Sequence, residues 1–154
     1  VCSSDLTRKM LEKVPFSQKD WKPHEKSMTL GKLATHVAEC GRWVAHALEH
    51  DGVDFAQPLE RATPQNTEEL IALFDKHQAS GQAAIAASTD ADLGKMWTVK
   101  SGDTVYMTIP KAAAIRGWAL SHMIHHRGQL STYIRPMGGK NPAVYGYSFD
   151  TLNA

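Results

Sequence analysis

The chain is poor in cysteine. Cys2 and Cys40 are the two it has, too few for a disulfide framework, which excludes the stapled secreted scaffolds and favours a reducing compartment, expected to be the cytoplasm. Long apolar runs are also lacking: none approaches the roughly 20 residues of a membrane helix, and no stretch reads as a signal peptide. There is no excess charge of either sign, with 17 Lys+Arg against 16 Asp+Glu. That balance gives no reason to expect a nucleic-acid or membrane-surface partner. Internal repeats and low-complexity tracts are absent. What remains is ordinary for one globular domain spanning residues 1–154, with 42% hydrophobic and 21% charged residues. An initiator Met is missing as well. Val1–Leu6 back-translates naturally to the end of a common sequencing adapter, so the expectation is that these residues are a read artefact and the first helix is truncated.

Apolar spacing divides the chain. Leu6–Val14 is a short helical stretch with Leu6, Met10 and Leu11 on one side, stopped by Pro15. Ser17–Ser27 is a polar connector with room for one turn around Gln18–Trp21. Thr29–Asp51 reads as one strong helix, with Leu30, Leu33, Val37, Cys40, Val44, Ala47 and Leu48 at intervals of three and four, Ser27 or Thr29 as cap and Gly52 as stop. Val53–Gln65 reads as a long crossover. Asn66 and Glu69 form a start resembling a capping box for a helix through about Ser88. Trp97 and Val99, then Val105, Met107 and Ile109, alternate around Ser101-Gly102-Asp103, the pattern of a β-hairpin. Lys111–Arg135 is the last strong helix, closed by Pro136 and Gly138-Gly139. Three strong helices and one short one with long connections predict an all-α four-helix bundle with crossovers and a short β-hairpin before the last helix.

Histidine is the abundant residue, at eight copies, three of them within Ser121–Arg127. Residues four apart on a helix differ by about 40° in azimuth, so His122 and His126 stack on one face. Two such imidazoles can chelate one cation. Met123 follows His122 where a zinc-protease helix needs a glutamate base, so that chemistry is excluded. His125 lies about 60° off His122 and cannot easily join the pair. A third ligand must come from elsewhere, and His36, on the apolar face of the Thr29–Asp51 helix, is the best candidate. A lone histidine on such a face is more often a hydrogen-bonded core residue than a ligand, and it is the inward pair opposite that favours metal. Glu39, three residues on, is a candidate acid or base at the rim, or a solvated helix carboxylate. Trp118, Gln129 and Tyr133 share the histidine stripe and are candidates for lining a substrate pocket. Arg127, Arg135 and Lys140 are candidates for binding an anionic substrate, or equally solvated surface cations. Cys40 reads as inert core.

The run His122-Met123-Ile124-His125-His126-Arg127-Gly128-Gln129-Leu130 resembles the signature helix of the DinB-like, or YfiT-like, superfamily. Met28–Leu33 with His36 resembles that family's second-helix histidine motif, Trp21-Lys22-Pro23 the segment before it, and Asn141–Gly146 its closing Pro…Tyr-Gly motif. The resemblance implies a four-helix bundle holding a divalent metal, zinc or nickel, on three histidines, here His36, His122 and His126. It also implies a homodimer. Characterised relatives include thiol-dependent S-transferases.

The leading expectation is therefore a metal-dependent enzyme transferring a low-molecular-weight thiol to a small electrophile. Three histidines would leave a coordination position open for thiol or water. The alternatives are a metal-dependent hydrolase, with Glu39 as the nearest base, and a non-catalytic metal-binding homodimer. A homodimer is also suggested by small residues, Gly81 and Ala83–Ala84 among them, on the third helix.

Overall fold

The computed structural model describes residues 3–153. Val1 and Cys2, the first part of the suspected artefact, lie outside the described residues.

Helix α1 spans Ser3–Leu11, three residues earlier than the apolar pattern indicates, with Leu6, Met10 and Leu11 buried. The connector that follows opens with a 3₁₀ turn at Phe16–Gln18. It is tied to the start of α2 (Leu30–Glu39), where the Leu30 N–H donates to the Trp21 carbonyl and the Gly31 N–H to that of Lys19, both at 2.8 Å. Thr29 Oγ1 caps the same end by accepting from the Lys32 N–H. These bonds satisfy donors that a helix start leaves open.

The expected Thr29–Asp51 helix is in fact two, because α2 gives way to α3 (Arg42–Glu49). At the joint the N–H groups of Cys40, Trp43 and Val44 reach back only three residues, to Val37, Cys40 and Gly41. This tight turn lies where α4 crosses: a Cβ on Gly41 would sit 3.2 Å from the Gln78 amide nitrogen. Gly52 is not the helix stop either. It opens strand β1 (Gly52–Asp54), and a Cβ there would fall 2.3 Å from the Thr98 carbonyl oxygen.

Helix α4 (Thr67–Ala87) starts as expected, with Asn66 Oδ1 accepting from the Glu69 N–H at 2.8 Å. Its buried face ends at Gly81, and Ile85 is exposed. After the short α5 (Asp90–Gly94), β2 (Met96–Ser101) and β3 (Thr104–Pro110) form the expected antiparallel hairpin. Gly102, at φ 57°, takes the left-handed turn position that a side chain would strain. The sequence pattern missed the third strand: β1 pairs with β2 in parallel, Val53 opposite Val99. Trp97 and Val99 are buried, but Val105 and Met107 on the edge strand β3 are exposed.

The last long helix is continuous but not uniform. It runs as α6 (Lys111–Ala114), a π-helical stretch (Ile115–Ser121) and α7 (His122–Ile134). A 3₁₀ turn at Arg135–Met137 and Gly138, at φ 74°, end it. A four-residue helix, α8 (Phe149–Leu152), lies in the tail.

Two cores result. Met10, Leu11, Leu33, Val37, Leu70, Phe74, Met123, Leu130 and Ile134 join α1, α2, α4 and α7 in the bundle core. Trp43, Val53, Trp97, Val99, Ile115 and Ala119 fill a second core between α3, the sheet and the π stretch. The fold is a four-helix bundle carrying a small three-stranded sheet at one end. Among the described residues no helix is long and apolar enough to cross a membrane.

Candidate metal centre

The bundle core packs α2 against α7, and this brings His36 to the histidine pair. His36 and His122 face each other with their Nε2 atoms 2.7 Å apart, one donating its N–H to the other. The His126 ring meets both edge-on, with centroids 4.5 Å from His36 and 4.4 Å from His122. Gln129 lies one turn further along. Its Oε1 can only accept, so the 2.7 Å contact puts the proton on His126 Nδ1. In the neutral ring that leaves a lone pair on Nε2.

Burial disfavours the charged form of all three rings. Burial, then the neighbouring charges at His126, His122, Arg61 and Arg42, lower the His36 pKa from 6.5 to about 4. Burial also lowers His122, aided by His126 and His125. Burial lowers His126 too, with Gln129 opposing the shift. Neutral imidazole is the form that ligates a metal.

Cys40 is one turn from His36 on the same helix. Ligand atoms of His36, Cys40 and His122 all lie within 4.8 Å of one another, a group that could hold a metal ion. Imidazole nitrogens with a soft sulfur are a donor set that suits zinc and other late divalent metals. The Cys40 thiol, however, is buried and donates to the His36 carbonyl at 3.1 Å. Burial, reinforced by the Glu39 charge, pushes its pKa up to about 12. To ligate, it must lose both that hydrogen bond and its proton.

Beside His36 opens a cavity of about 700 Å³. Its walls are one side of α2, with Gly31, Lys32, Thr35, His36 and Glu39, and the two connections, which polar bonds hold in place. Glu39 is buried, at 4% exposure, rather than solvated. Its Oε1 accepts from the Ala62 N–H at 3.0 Å and so anchors the crossover. Arg42 holds the same segment by donating to the Glu60 carbonyl at 2.9 Å. Lys19 Nζ donates to Gln65 Oε1 at 2.9 Å, bridging connector and crossover. Both His36 and Glu39 line this cavity.

The other candidates go to different places. Trp118 is in the second core, stacked on Phe55 and edge-on to Trp43 and Trp97. Tyr133 meets Trp21 edge-on at 5.7 Å. His125 is exposed and edge-on to His126, with ring centroids 4.8 Å apart. Arg127 is buried at 2% exposure, although it was a candidate anion binder. Its Nη1 donates to the Ser3 carbonyl, Ser3 Oγ and Thr7 Oγ1, and its Nη2 to the Tyr145 hydroxyl. Arg135 pairs with Asp150. The sequence pattern missed the cavity residues Lys19 and Arg61, which lie on connections without periodicity, and Lys32, which is exposed on α2.

Comparison with known proteins supports the fold and gives the family. The uncharacterized protein YjoA of Bacillus subtilis (strain 168) is 24% identical over 134 residues, 87% of this chain and 83% of that protein. The crystal structure of that DinB-like protein superposes with a TM-score of 0.70 at 21% identity, covering 94% of this chain and 93% of the other. A DinB-like protein from Bacillus cereus ATCC 10987 gives 0.72 at 19% identity, covering 93% and 91%. Residues 2–153 match the DinB family, and the chain belongs to it.

Proposed function

We propose that His36, His122 and His126 hold one divalent cation, zinc or nickel, and that the protein is a metal-dependent enzyme transferring a low-molecular-weight thiol to a small electrophile. The observation that carries this reading is the convergence of three uncharged imidazoles from two helices, with His36 in the wall of a large cavity. When bound, the metal supplies a Lewis acid that brings the pKa of a coordinated thiol or water toward neutrality.

The chain's own residues do the rest. Gln129 fixes the His126 tautomer and aims its Nε2 lone pair. Cys40, protonated and bonded to a backbone carbonyl, leaves the nucleophile's role to the cosubstrate. Glu39 holds the crossover over the cavity and lines it together with His36, the position from which a carboxylate would move a proton. Thiol chemistry of this kind belongs in a reducing cytoplasm. A homodimer would cover the exposed Ala83, Ile85, Ala86 and Ala87 of α4, while Gly81 already packs on Val44 within the chain.

Metal analysis of the wild type, His126→Ala and Cys40→Ala tests the donor set. Retention of metal in Cys40→Ala and its loss in His126→Ala support the three-histidine site, and the reverse overturns it. Turnover is then measured with a small thiol and an alkylating electrophile. A metal-loaded protein that hydrolyses esters but ignores thiols is a hydrolase, and one that does neither is a binding protein.

A further inference from the structure

The cavity beside His36 carries three cationic side chains, Lys19, Lys32 and Arg61, against two carboxylates, Asp20 and Glu39. These groups are not equivalent. Lys19 is hydrogen-bonded to Gln65, and Glu39 is occupied by the Ala62 N–H with Arg42 at 3.7 Å. Lys32 and Arg61 have no acidic partner within ion-pair distance among the described residues. The remaining lining is mainly apolar, with Phe16, Met28, Ala62 and Pro64 contributing. A volume of about 700 Å³ is that of a small-molecule site. The connector is fixed closely against α2: Gly31 gives its N–H to the Lys19 carbonyl, and a Cβ on Gly31 would come within 2.9 Å of the Lys19 Cβ. The backbone N–H groups at the start of α2 are spent on this connector, so side chains must supply the charge recognition.

We infer that this cavity takes a small organic monoanion, an apolar body with one carboxylate, its head between Lys32 and Arg61 and its body on Phe16, Met28 and Pro64. The excess of one cation over the carboxylates matches a single negative charge. The inference names the substrate class of the site proposed above, and its link to catalysis rests on that reading. Binding itself needs only the cavity.

Calorimetry with octanoate, octan-1-ol and octylammonium, which share one body and differ in the head, tests it directly. Octanoate should bind best and octylammonium not at all. Affinity should rise roughly three- to fourfold per methylene from hexanoate to octanoate. Arg61→Gln and Lys32→Gln should each weaken octanoate roughly two- to fivefold, as expected for exposed ion pairs. Lys76→Gln, on α4 and outside the cavity lining, should leave it unchanged. Amide shifts of Gly31 and Ala62 on titration would locate the ligand. The series is run on metal-free and metal-loaded protein. Equal binding of octanoate and octylammonium, or octanoate binding that requires metal, overturns the inference. Octanoate binding by a protein that takes up no metal keeps the inference and sinks the enzymatic reading.

Discussion

Arg127→Ala should destabilise the fold without emptying the metal site. The guanidinium is 2% exposed and has no carboxylate within ion-pair distance among the described residues. Four neutral oxygens on α1 and the tail accept from it, at 2.8 Å (Ser3 O), 3.1 Å (Ser3 Oγ), 2.9 Å (Thr7 Oγ1) and 2.7 Å (Tyr145 Oη), and its carbon lies 5.1 Å from the Tyr145 ring centre. Hydrogen bonds to a charged group contribute about 1.5–3 kcal/mol each, but the cost of burying the cation offsets much of that. Two acceptors also recover easily. Thr7 Oγ1 already donates to the Ser3 carbonyl, and Tyr145 is 74% exposed and can turn to water. Truncation should therefore cost about 2–4 kcal/mol, counting the void left behind. For a domain of this size that lowers the melting temperature by roughly 6–12 °C. Arg127→Met fills the slot and removes the buried charge, so it should lose about half as much. Thermal and urea unfolding followed by circular dichroism give the stabilities, with metal content measured in parallel. An Arg127→Ala protein that melts within about 2 °C of wild type would refute the structural role.

Other outcomes follow from the same geometry. Gln129→Leu removes the acceptor that orients His126, and metal affinity should fall about 10–100-fold in a competition titration with little change in stability. His125→Ala should keep the full metal stoichiometry, since that residue is exposed and lies about 60° off His122 around the helix; loss of metal from a folded variant would contradict the arrangement. For the metal-free protein, the lowered His36 pKa sets a direction for stability against pH. Unfolded chains bind protons at this residue as pH drops below 6.5, whereas the folded protein resists until about 4. The contribution is complete above 6.5 and is lost as pH falls through that window, so the urea midpoint in chelator should be lower at pH 5 than at pH 7.5. A midpoint that is unchanged or higher at pH 5 would count against it.

What could be read in advance depended on how local the cause was. The stacking of His122 and His126 is a property of helical spacing alone, and the apolar setting of His36 aimed it at that pair. Asn66 and Gly102 announced a cap and a turn within four residues of themselves. Nothing near Val53 says that it will lie parallel to Val99, because the pairing spans 46 positions. Arg127 was read as an anion binder because its partners, 124, 120 and 18 residues away, are invisible to a local pattern. The same applies to Glu39, whose burial depends on Ala62 from the crossover. Lys19 and Arg61 come from irregular connections, and only their packing against α2 makes Lys32 a cavity residue, so no periodicity could reveal the cationic set.

The π-helical stretch at Ile115–Ser121 carries the second-core residues Ile115 and Ala119 and leads directly into the helix whose histidines face α2. A wider turn accommodates extra chain, and each residue added to or taken from an α-helix rotates everything beyond it by about 100°. The stretch thus acts as a phase adjuster. It lets Ile115 and Ala119 face the sheet while His122 and His126 point elsewhere, within one unbroken rod. Deleting one residue there would let the rod relax toward uniform α-helix, and either the tryptophan cluster or the histidine face would swing out of alignment. The length of this short segment is therefore what keeps the sheet end and the histidine end of the rod in phase.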